Sequence, residues 1–100
     1  MVKKVVITKL AQITYNNVLE YLIANWGDTV TNDFIERFED VYKAIAKNPQ
    51  MFPFKNKEKQ VQYCVLTKHN ILYFKEAEEM IQILIIFDTR QNPEKLSGLL

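Results

Sequence analysis

At 100 residues the chain has material for one domain around one core. Its 48% apolar and 25% charged residues, with two glycines and three prolines, argue for a folded chain with few loops and against a disordered one. A net charge of +1 argues against a strongly basic nucleic-acid binder, and a single cysteine, Cys64, with a single histidine, His69, argues against a disulfide framework, a multi-thiolate metal site or a histidine triad.

Residues 2–8 are rich in β-branched side chains and predict a first strand with Val5 and Ile7 on one face. The apolar stretch at residues 5–7 is too short for a signal sequence, so a cytoplasmic protein with no membrane segment is expected. Tyr15, Val18, Leu19, Leu22 and Trp26 then recur at helical spacing and predict a helix over about residues 10–26, stopped by Gly27. Trp26 is expected to anchor packing at its end. Asp28 is expected to cap a second helix whose buried stripe is Phe34, Phe38, Val41 and Ile45, widened by Ile35 and Tyr42. Acids crowd its first half, Lys43 and Lys47 its end, and Asn48-Pro49 stops it.

So short a joint makes the helices an antiparallel hairpin. After a loop over residues 49–60, strands are predicted at residues 61–67, 71–75 and 80–87, joined by short turns as an antiparallel meander. The last is apolar on both faces, with Ile81, Ile83, Ile85 and Phe87 on one and Met80, Leu84 and Ile86 on the other, so it belongs inside the sheet with the first strand as a candidate neighbour. An α+β fold follows: one helical hairpin on a sheet of about four strands.

The run at residues 83–87 is too short for a membrane span and breaks into Asp88-Thr89-Arg90, with Pro93 close behind. A buried strand thus delivers one guanidinium to the rim, a group with five fixed donors that cannot lose its charge. Lys55, Lys57, Lys59, Lys68 and Lys75 form a basic region against Glu58 alone.

Several segments in order resemble the RelE/ParE superfamily of bacterial toxins, and more closely its ParE-like branch. They are Val5-x-Ile7-x-x-x-Ala11, Tyr21-Leu22-x-x-x-Trp26-Gly27, Ile45-x-x-x-Pro49-x-x-Phe52-Pro53, Cys64-Val65-Leu66-Thr67-Lys68 with Leu72-Tyr73-Phe74, and residues 87–93. The resemblance implies a type II toxin neutralised by a cognate antitoxin, in a toxin–antitoxin hetero-oligomer. It implies a protein target such as DNA gyrase or, alternatively, ribosome-dependent mRNA cleavage, or else a weakened or retargeted binding module. It implies no cofactor and no metal.

Cutting RNA through its own 2'-hydroxyl needs cations and an acid converging on one phosphate. Arg90, Tyr73, Lys55 and Lys57 are the candidate catalytic set if the chain is a nuclease; Arg90, Lys59, Lys68, His69 and Gln62 are the candidate partner-binding set. Gln62 stands where family members often carry Arg, and no Tyr or His follows Arg90. The resemblance therefore favours binding over cutting. Plainer readings stand beside these: Asp88 fixing the turn or holding Arg90, His69 a solvated turn residue, Tyr73 half buried, Cys64 a small core residue, the lysines a solvated loop, and Phe52 a packing anchor.

Overall fold

In the computed structural model, which describes residues 3–98, strand β1 is Lys4–Ile7. The predicted start of this strand, Val2, lies outside the described residues. Thr8 turns the chain: its hydroxyl accepts the amide of Ala11 at 3.2 Å and caps helix α1, Lys9–Trp26. Gly27, at φ +85° and ψ −173°, occupies a region essentially restricted to glycine. Its N–H closes α1 onto the Leu22 carbonyl at 3.0 Å, and its carbonyl accepts both the amide and the hydroxyl of Thr31 at 3.3 and 2.8 Å, opening helix α2, Asp28–Lys47. The expectation that Asp28 caps α2 is corrected: Gly27 holds that position without a side-chain bond, and Asp28 is the first helical residue. Its carboxylate still lies in the first turn, where the helix dipole favours it.

The helices return on each other as an antiparallel hairpin. Tyr15 packs its ring against Phe38 at 4.6 Å and Phe34 at 5.9 Å between centroids, with Tyr15 and Phe38 about equally far from the joint. The α2 stripe is buried as its spacing predicts, through Phe34, Phe38, Val41 and Ile45, each worth roughly 1.5–3 kcal/mol of transfer free energy. Helix α1 differs. Only Ala11 is fully buried; Leu10, Ile13, Tyr21, Ile23 and Trp26 are exposed.

Asn48 ends α2 and Pro49–Met51 makes a 3-10 turn. Four further strands follow: β2 (Phe54–Asn56), β3 (Val61–Thr67), β4 (Asn70–Glu76) and β5 (Met80–Asp88). The sheet has five strands in the order β1-β5-β4-β3-β2, one more than expected, because β2 arises within the predicted loop. Three residues with one apolar side chain give no periodicity to detect. The meander β2 to β5 is antiparallel, and β1 lies parallel to β5 from Lys4 opposite Met80 to Ile7 opposite Ile83.

The assignment of faces in β5 is also corrected. Tyr73 pairs with Ile85 while Phe74 pairs with Ile83, so Leu84 is a bulge that reverses the alternation. Ile81, Ile83 and Ile86 therefore face the helices with Leu72 and Phe74, while Ile85 and Phe87 join Val61, Tyr73 and Leu96 on the outer face. The bulge is anchored by α1: Thr8 donates its hydroxyl to Ile83 and Leu84 carbonyls at 2.8 and 3.1 Å. Beyond the β1 pairing, a helix start thus covers what is otherwise an open strand edge.

Candidate functional site

Strand β5 ends at Asp88, and the chain turns so that three groups meet. Asp88 accepts the backbone N–H of Arg90 at 2.9 Å, an Asx turn, and its two carboxylate oxygens take Nε and Nη2 of the Arg90 guanidinium at 3.0 and 2.8 Å. From α1, the Tyr21 hydroxyl accepts Nη1 at 3.2 Å, and the guanidinium carbon lies 4.9 Å from that ring's centre. The Thr89 N–H bonds the His69 carbonyl at 2.8 Å, tying the end of β5 to the β3–β4 turn.

These bonds act on protonation as well as on geometry. The Arg90 side chain, as hydrogen-bond donor, holds the Asp88 carboxyl below its ordinary range; partial burial opposes this, and the Arg90 backbone N–H adds to it. Arg90 is itself pushed upward, first by Asp88 and then by Tyr21. Its side chain remains 45% exposed. Three of five guanidinium donors are engaged, which leaves two for a partner.

Beside Arg90 runs a groove of about 780 Å³ between the helical hairpin and the end of the sheet. Leu10, Ile13, Tyr21 and Trp26 of α1 and Val30 of α2 line its apolar side, and Lys68, His69, Arg90 and Lys95 stand on its rim. Trp26 is 64% exposed and Ile13 47%. The expectation that Trp26 anchors packing is corrected: the residue lines the groove and stays exposed.

No protein-family model matches the chain, and no curated protein matches it in sequence. Solved structures do match in fold. A chain of the chromosomal ParDE TA system from P. aeruginosa superposes with a TM-score of 0.73 over 87% of this chain and 96% of its own, at 13% identity. The YoeB/ParE toxin from Agrobacterium tumefaciens gives 0.58 over 85% and 96%, at 12% identity. The chain shares the fold of these two proteins.

Within that fold the candidate residues separate. Arg90, Lys68 and His69 come together at the groove. Lys55 on β2 and Lys57 and Lys59 in the following turn are exposed at the opposite end of β3, about 20 Å away along the strand. Tyr73 is only 4% exposed, on the outer face beside Tyr63, and burial first, then Tyr63, pushes its hydroxyl above the usual range. Gln62 is 2% exposed and spends its amide on the carbonyls of Pro49 and Phe52, at 2.6 and 3.0 Å. It locks the chain after α2 onto the sheet and is not presented to a partner.

Phe52 packs edge-on to Phe74 at 5.7 Å, the anchoring role expected of it. Cys64 packs against the helix-facing core, and burial raises its thiol. Tyr21 and Arg37 line the groove without having been singled out by composition or spacing, and Trp26 lines it although its spacing assigns it to the core. A signal for Tyr21 exists: with Leu10 and Ile13 it forms a second apolar stripe on α1, more than one core-facing stripe requires. Among the described residues no acidic, His or Cys cluster suits a metal ion, and no helix is long and apolar enough to cross a membrane.

Proposed function

We propose that this chain is the toxin component of a bacterial type II toxin–antitoxin pair, acting in the cytoplasm by binding a protein target such as DNA gyrase. The observation that carries this reading is Arg90, held by Asp88 and Tyr21 at the lip of a large apolar groove. A fixed, desolvation-tolerant cation next to exposed Tyr and Trp is the composition of a protein–protein hot spot. One fold relative belongs to a ParDE TA system and the other is a YoeB/ParE toxin, which supports the toxin reading.

Binding is favoured over RNA cleavage because the candidate catalytic set of Arg90, Tyr73, Lys55 and Lys57 does not converge. Cleavage through the 2'-hydroxyl needs several cations and an acid on one phosphate. Here Lys55 and Lys57 sit at one end of the sheet, Arg90 at the other, and the outer face between them carries Tyr63, Val65, Ile71 and Tyr73. The cognate antitoxin then neutralises the chain by laying an amphipathic helix in the groove, its apolar residues on Leu10, Ile13 and Trp26.

The test is induction of the chain alone and together with the small reading frame beside its gene, followed by purified protein in parallel gyrase-supercoiling and coupled-translation reactions. Growth arrest relieved by the neighbour, with supercoiling lost and translation intact, is the expected result. Cuts in mRNA at codon positions replace the binding reading by the nuclease one, and an inert chain removes the toxin reading.

A further inference from the structure

Strand β3 is an edge for half its length. On the side away from β4, β2 pairs only with Val61 and Gln62, and Pro53 takes the Tyr63 amide at 3.1 Å; past that point no strand lies on this side among the described residues. An open edge offers unpaired backbone groups to any other strand, and native edges are usually blunted by charged residues, Pro or bulges of their own. The sequence of β3, Val-Gln-Tyr-Cys-Val-Leu-Thr, has no charge, no Pro and no Gly, and Val65 on it is 50% exposed. Such a window is the composition that self-pairs.

The missing charge comes from a helix. Arg37 on α2 reaches across the edge and donates Nε to the Leu66 carbonyl at 3.2 Å and Nη2 to the Val65 carbonyl at 3.0 Å, where the β3–β4 register shifts. One guanidinium thereby occupies two successive carbonyls and sets a hydrated cation on the strand.

We infer that the free half of β3 is a docking edge for a second copy of this chain and that Arg37 holds it shut. A two-fold antiparallel pairing centred on Val65 places Val65 beside its own copy and Thr67 beside the side chain of Tyr63, whose amide stays with Pro53. Apolar and β-branched cross-strand neighbours result, with no like charges opposed. Arg37 prevents this by filling the acceptors and by putting one cation of each copy against the other. The inference does not depend on what the chain inhibits.

The experiment compares wild-type chain, R37A, R37Q and the double variant R37A/V65K by size-exclusion chromatography with light scattering over a range of concentrations. Far-UV circular dichroism establishes first which variants are folded, and R37Q keeps the aliphatic stem packed should R37A unfold. The wild-type chain runs as a monomer. Folded R37A, or R37Q in its place, doubles its mass with concentration, its Val65 amide exchanges more slowly in the dimer, and V65K in the same background returns it to single mass. A folded Arg37 variant that stays monomeric, a doubling that V65K leaves intact, or a wild-type chain already paired through this edge overturns the inference, as does failure of both Arg37 variants to fold, since Arg37 is then a stabilising contact rather than a guard.

Discussion

Thr14 on α1 accepts the amide N–H of Ile86 on β5 at 3.0 Å. The same hydroxyl lies within donating distance of the Leu10 and Ala11 carbonyls, at 3.0 and 3.1 Å, so a helix side chain supplies what a neighbouring strand supplies elsewhere in the sheet. Ile86 is 2% exposed, which leaves its amide no water to turn to. Thr14→Val keeps the shape and removes the acceptor, and is expected to destabilise the fold by about 1–3 kcal/mol, the cost of an orphaned buried donor. Thr14→Ser restores most of it. Urea midpoints at constant slope measure both, and equal midpoints for T14V and wild type refute the assignment.

That bond also marks the boundary of what the amino-acid pattern reveals. Helix α2 and strands β3 to β5 are legible because their apolar residues repeat at the period of the element and because Gly27, Asn48-Pro49 and the short polar turns interrupt them. The bulge at Leu84 is not legible: every residue from Ile81 to Phe87 except Gln82 is apolar, so either register buries a greasy face, and the choice falls to Thr8 and Thr14, more than seventy positions away in sequence. Arg90 was visible at the end of a buried strand. Its partner Tyr21 is marked only as part of a second apolar stripe on α1, and nothing local joins it to Arg90, 69 positions away. The burial of Gln62 likewise depends on two carbonyls of a turn whose path no local signal specifies.

Gly27 makes a separable prediction. A Cβ built at this position meets nothing within 4 Å, so crowding is not at issue; the backbone angles are. Gly27→Ala is expected to cost about 1–3 kcal/mol through conformational strain alone. Thermal denaturation monitored on helix signal reads it. A loss well beyond this range means that the hairpin joint has rearranged, and no loss means that the joint relaxes into a region open to other residues.

Asp88 supplies a pH test. Its folded carboxyl titrates below the ordinary aspartate value of about 3.9, so the unfolded chain takes up a proton where the folded chain does not. Stability from the pair is therefore complete above that ordinary value and drains away as pH falls through the lower, folded one. With both side chains partly exposed, solvent screening keeps the amount small. Carboxyl carbon shifts followed by NMR locate the Asp88 midpoint, and Arg90→Ala is expected to move it upward. An unmoved midpoint removes Arg90 as the cause.

The groove makes the prediction that bears most directly on function. Trp26 exposes 64% of its surface and contributes little to the core, so Trp26→Ala should leave the melting temperature close to wild type. Against the proposed antitoxin, the same change should weaken binding by about 2 kcal/mol or more, roughly thirtyfold, because a large ring leaves an apolar interface. Arg90→Ala should abolish growth arrest in the induced chain while the domain stays folded, since Arg90 is exposed and its loss leaves Asp88 and Tyr21 in reach of water. The double variant Lys57→Ala, Lys59→Ala, at the far end of the sheet, should change neither. Isothermal titration and growth curves on the same four proteins separate the possibilities: a toxic Arg90→Ala removes Arg90 from the site, and loss of toxicity in the lysine variant moves the site to the β2–β3 turn.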